Sequence, residues 1–149
     1  VYDATTLAAI TGGTLTGVEA PDTANVAIST TGVFASANVG TGIAVTVSLA
    51  GSTALNYALT QPGITANITK ANQTITFNAL PTLNTSSSPF NLNTFASATS
   101  GLALTYESSN LDVVSVSGNT LTVVGVGTAV ITASQAGDSN YNAAVNATQ

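Results

Sequence analysis

An all-β chain built as two small tandem domains is what the sequence predicts, and three observations carry the expectation. Apolar and polar residues alternate at period two in run after run, as in IAVTVSL at 43–49, which places one face of a strand in a core and the other in water. Clusters of Gly, Pro, Asn and Ser separate these runs, as turns do between the strands of a β-sandwich or a related small β fold. One phrase also occurs twice: GTGIAVTVSLAGSTALNY at 40–57 and GVGTAVITASQAGDSNY at 125–141 each pass from a Gly-x-Gly through an alternating run to Ala-Gly and Asn-Tyr.

In the first half, short strands are expected at TLTGV (14–18), VAIST (26–30), VFAS (33–36), YALT (57–60) and ITANIT (64–69). Between them, Ile43, Val45, Val47 and Leu49 fall on one face of a half-buried strand, with Ala44, Thr46 and Ser48 on the other. In the second half, TITF (74–77) is a strand, and ALTYESS (103–109) turns Leu104 and Tyr106 inward. VVSVSGNTLTVV (113–124) reads as a hairpin about Gly118 and Asn119, residue types that tolerate the positive φ of a tight turn. TAVITAS (128–134) carries Val130 and Ile131 into a further strand. Nowhere do apolar residues recur at helical spacing for long enough to predict a helix.

The polar stretch ITKANQT holds the only lysine and sets a domain boundary near Lys70 and Ala71. Domains at 1–70 and 71–149 result, each near the smallest size at which one core suffices. The repeated phrase marks analogous closing hairpins in the two halves more than a clean duplication.

Composition narrows the function. Charged residues make up only 5% of the chain, so solubility rests on Thr, Ser and Asn, and any core is built from small and β-branched side chains. One Lys, no Arg and a net charge of −5 leave phosphates almost nothing to pair with, which excludes nucleic acid. The absence of cysteine excludes disulfides and thiolate chemistry. No apolar run is long enough to cross a bilayer, and VYDATT lacks the basic and apolar regions of a signal peptide, so an internal segment of a longer protein is expected.

The residues also carry two resemblances. VYDATT at 1–6, GVFASANVGTG at 32–42, NYALT at 56–60 and ITANITKA at 64–71 resemble the YDG domains of filamentous-haemagglutinin-like bacterial surface proteins, with Ala4 where the signature has Gly. QTITFNALP at 73–81, SPFNL at 88–92, SGLALTYESSN at 100–110 and the run from Val113 to Ala144 resemble a bacterial Ig-like repeat of large adhesins. These resemblances imply an extracellular, cell-surface stalk or adhesin segment without enzymatic activity. The second domain is then expected to be an Ig-like sandwich, and the first a sandwich or a β-grasp-like sheet.

Each candidate chemistry has a plainer structural reading. A phosphate loop needs a helix after its glycines, whereas here a β-alternating run follows each pair. Serine and threonine have no histidine to act as base, and six scattered acids supply no paired carboxylates, so no enzyme is expected. Glu19, Asp22 and Asn25, and separately Asp138 with Asn140, offer oxygens for calcium but lack the dense spacing of a dedicated loop, and turn-forming roles account for them. A Lys70–Asn146 isopeptide crosslink with Glu107 as proton shuttle needs burial, whereas Lys70 lies in a polar connector and reads as an exposed linker residue. Tyr2, Tyr57, Tyr106 and Tyr141 are the candidate recognition aromatics. The recurrence of Tyr57 and Tyr141 favours rings that plug core edges with their hydroxyls at the surface.

No residue is therefore assigned a catalytic, cofactor-binding or metal-binding role. The expected partners of this monomer are neighbouring tandem domains of its own chain, with no nucleic acid and no membrane contact. Two rival expectations remain: a module gripping a glycan or host protein through NALPTLNTSSSPF at 78–90, and a spacer rigidified by calcium.

Overall fold

The alternation at 43–49 becomes structure directly: Val45 and Val47 are buried, Ile43 and Leu49 half-buried, and Ala44, Thr46 and Ser48 exposed. A computed structural model describes all residues, Val1–Gln149, and shows an all-β, β-sandwich-like chain with antiparallel sheets and only single-turn 3-10 segments as helix. It divides into two compact units, Val1–Lys70 and Ala71–Gln149.

The first unit contains β1 (Leu7–Ala9), β2 (Ala27–Ile28), β3 (Thr31–Phe34), β4 (Gly40–Thr46), β5 (Leu49–Ala50) and β6 (Thr65–Ile68). A four-stranded sheet runs β1-β3-β4-β6, and β2 pairs with β5 separately. Register is fixed by pairs such as Leu7 with Val33, Val33 with Thr46 and Ile43 with Ala66. Just past the end of β4, the Gln61 side chain takes the place of a strand. It accepts from the Val47 N–H at 3.0 Å and donates to the Val47 carbonyl at 2.7 Å. That clamp satisfies a buried peptide where the chain leaves one sheet to join the next as β5. A β-grasp sheet needs a helix to hold, and the 3-10 turns Ala20–Asp22 and Ala54–Asn56 are too short for that, so the β-grasp-like alternative is set aside.

Two expected strands do not form. TLTGV carries Gly17 at φ 80, a left-handed residue that breaks extension, and YALT follows the 3-10 turn with no partner strand. Extended runs become strands only when a neighbour takes their hydrogen bonds.

The second unit contains β7 (Ile75–Phe77), β8 (Phe90–Asn91), β9 (Ala96–Ala98), β10 (Thr105–Ser108), β11 (Val114–Ser117), β12 (Thr120–Val123), β13 (Ile131–Ser134) and β14 (Ala147–Thr148). Its sheets are β10-β13-β14, β11-β12-β8 and the pair β7-β9. The predicted hairpin is β11–β12, with Gly118 at φ 60 in its turn. Val130 is exposed and lies just before β13, so the expected strand begins at Ile131 instead.

One contiguous core gathers Phe77, Leu92, Tyr106, Val113, Val114, Leu121 and Ile131 with small alanines. It is less uniformly small than composition suggests, since Leu92 and Leu121 are its largest fully buried side chains. Phe77 and Tyr106 meet edge to face, with centroids 6.1 Å apart. Leu92 reaches the interior from a 3-10 turn capped by Asn91, whose side chain accepts the Asn93 N–H at 2.8 Å.

Candidate functional site

The loop at 19–25 and the segment 51–57 form one clasp in the first unit. Gly51, at φ 114, lies so close to the Asn25 carbonyl that a Cβ there would collide with it, and the Thr53 N–H donates to that carbonyl at 3.3 Å. From the end of the next 3-10 turn, the Tyr57 hydroxyl donates to Asp22 Oδ2 at 2.8 Å and accepts the Glu19 N–H at 3.3 Å. Removal from water, then donation to a carboxylate, raises the Tyr57 pKa, and the negative charges of Asp22 and Glu19 add to the shift. The Asn25 side chain donates to the Pro21 carbonyl at 3.4 Å. These groups close the loop, and nowhere do three acidic side chains gather.

Beside the clasp is an open cleft of about 310 Å³, walled by Leu15, Val26, Ile28, Val47 and Leu49 with Thr14, Thr16 and Tyr57 at its rim. No acid lines it. A second cleft of about 370 Å³ runs between β1 and β6, the two edges of the four-stranded sheet, over Phe34 and Val45. Both are open to solvent, and the second also contains Asp3 and Thr5, whose hydroxyl donates to Asp3 Oδ1 at 2.8 Å.

The repeated phrase shares less structure than its letters suggest. Gly40 and Gly42 lie inside β4 where its register against β6 shifts, and Asn67 Oδ1 accepts the Gly42 N–H at 2.9 Å there. Gly125 and Gly127 instead lie in a bend after β12, with Gly125 pressed on the Asp112 carbonyl and Gly127 on Val113. No helix follows either pair, so neither builds a phosphate cradle. What recurs is the Ala-Gly step. Like Gly51, Gly137 has positive φ, 79, and a backbone neighbour, the Tyr141 carbonyl, where a side chain would go.

The tyrosines separate accordingly. Tyr57 holds its hydroxyl against Asp22 and not simply at the surface, whereas Tyr141 acts through its backbone, bridging Ala71 in parallel. Tyr106 is buried, with its hydroxyl donating to Asn93 Oδ1 at 2.8 Å, and burial raises its pKa. Tyr2 is half-buried, and its N–H donates to the Thr69 carbonyl at 2.8 Å. Asp138 Oδ1 accepts the N–H groups of Asn140 and Tyr141, each at 2.8 Å, as a turn-forming carboxylate does.

Lys70, Glu107 and Asn146 are all exposed. Lys70 ends the first unit instead of entering a strand of the second, and Asn146 lies just before β14. None of them has the burial that a crosslink requires.

Two consequential residues, Gln73 and Gln61, escape a motif reading, and a third, Ala4, enters it only as a departure from the signature. Gln73 is buried: its Nε2 donates to Gln135 Oε1 at 2.9 Å and to the Asn142 carbonyl at 2.8 Å, while the Ser100 hydroxyl donates to its Oε1. Its signal was present in QTITF, where Gln73 shares the inward parity of Ile75 and Phe77. Ala4 is the one non-glycine residue at positive φ, 64, held in a turn where Asp3 Oδ1 accepts the Thr5 N–H and hydroxyl. Gln61 carries no comparable signal in its neighbours.

Comparison with known families finds a YDG domain at residues 1–66. No curated protein and no solved structure matches the chain.

Proposed function

We propose that this chain is a structural spacer of a large bacterial surface adhesin, two β domains that hold a distal adhesive region away from the cell. In this reading the domains are 1–70 and 71–149, the second is a bacterial Ig-like repeat, and the segment works outside the cell. One observation carries the proposal. Thr69 is hydrogen-bonded to Tyr2 within the first unit, and Ala71 exchanges hydrogen bonds with Asn140 and Asn142 within the second, so Lys70 alone separates two anchored backbones. A one-residue connector leaves little chain to pay out under load, as suits a load-bearing spacer. Ladder hydrogen bonds supply the resistance to extension, and few charges suit a chain whose surface is mainly Thr, Ser and Asn.

Single-molecule pulling on the intact chain tests this reading. Two discrete unfolding events are expected, each releasing roughly 3.5 Å per residue of its unit. Gradual extension without force peaks would overturn the spacer reading. Micromolar binding on a glycan array would favour a recognition module instead.

A further inference from the structure

The N-glycosylation pattern Asn-x-Ser/Thr occurs at Asn67, Asn72, Asn84 and Asn146. A chain so rich in Asn, Ser and Thr makes such matches by chance, and the pattern alone selects none of them. The structure separates the four. Asn67 lies within β6, its side-chain oxygen accepting the Gly42 N–H of the neighbouring strand. Asn72 accepts from Asn142 Nδ2 and adjoins the buried Gln73. Asn146 leads directly into β14, where its Thr148 is paired with Thr132. A transferase would have to pull each of these out of a sheet or a packed contact.

Asn84 is different. All four asparagines are exposed, but the Asn84 side chain and N–H bond only within their own turn, away from every strand: Ser86 N–H donates to Asn84 Oδ1 at 2.9 Å, and Asn84 N–H donates to Ser87 Oγ at 3.0 Å. The hydrogen bond to Oδ1 comes from the hydroxyl-bearing residue of the pattern itself, while Nδ2 donates to no protein group. Asn84 and Thr85 also border an open groove of about 480 Å³ next to Val126, which is 94% exposed. There is room for a sugar ring, whose apolar face would cover part of that patch.

We infer that Asn84 is an acceptor for N-linked glycosylation, taking a sugar from an activated sugar diphosphate. Asn84 Nδ2 attacks the anomeric carbon, the carbon–oxygen bond to the diphosphate breaks, and the diphosphate leaves with the electron pair. The proton lost from Nδ2 passes to the transferase base. The inference is independent of the spacer role.

The test incubates the full chain in two arms, one with a soluble N-glycosyltransferase and a nucleotide hexose, the other with an oligosaccharyltransferase and a lipid-linked sugar, followed by peptide mapping. Transfer in one arm identifies the donor. The expected result is one sugar per chain, mapped to Asn84, lost in Asn84→Gln and in Ser86→Ala but retained in Thr85→Ala. Transfer in neither arm, or transfer to Asn67, Asn72 or Asn146 in preference to Asn84, would overturn the inference.

Discussion

Ala4 occupies a conformation that L-residues avoid, because at φ 64 the Cβ crowds the following carbonyl. Glycine removes that penalty but loses more freedom on folding, so the two effects oppose each other. Ala4→Gly is expected to stabilise the first unit by roughly 0.5–1 kcal/mol, read as a higher urea midpoint at unchanged slope. Tyr57 and Tyr106 make a second prediction, this one about pH. The fold favours the neutral phenol at both, so each contributes stability below the ordinary tyrosine value of 10.0 that is lost as pH rises through the raised folded value. Absorbance titration of the folded chain should show late phenolate formation. Tyr57→Phe and Tyr106→Phe should each remove a share of that delayed signal, and a titration complete near the ordinary value would contradict the assigned contacts.

Turns and strand ends decide more here than the strands do. The 51–57 segment reaches the 19–25 loop only because Gly51 lets two backbones touch, whereas Gly12, also at positive φ, has nothing near it. Gly51→Ala should therefore cost well over the roughly 1 kcal/mol of a left-handed alanine, and Gly12→Ala only about that amount. Equal losses in the two variants, measured by thermal or chemical unfolding, would show that the close approach has no energetic weight. The hairpin β11–β12 was legible because alternation and turn chemistry coincide within twelve residues of sequence. Strands β1, β8, β9 and β14 were not, since two or three residues are too few to display a period. TLTGV and YALT erred in the opposite direction, carrying strand-like composition without a partner.

For the molecule as a whole, the junction makes a concrete prediction. Lys70 is exposed and is the only trypsin-type position, yet Thr69 and Ala71 on either side are held by backbone hydrogen bonds. A protease must draw several residues of extended chain into its cleft, so cleavage requires those bonds to open. Native digestion is expected to be slow and to yield only 1–70 and 71–149, while digestion in denaturant should be immediate. Rapid native cleavage would mean that the connector is loose, and would remove the main support for a load-bearing role.

Local chemistry settled a good deal before any contact was known. The alternation of β-branched and polar residues along 43–49 and 114–123 dictates extended chain with one buried face, because side chains on a strand point to opposite sides in turn. Glycines at the turns follow from the same short-range sterics. The clasp of Tyr57 on Asp22, the Gln61 clamp on Val47 and the buried Gln73 network join residues 14 to 69 positions apart. Such pairings depend on which peptide and side-chain groups lose their water when the sheets close, and only the folded chain decides that.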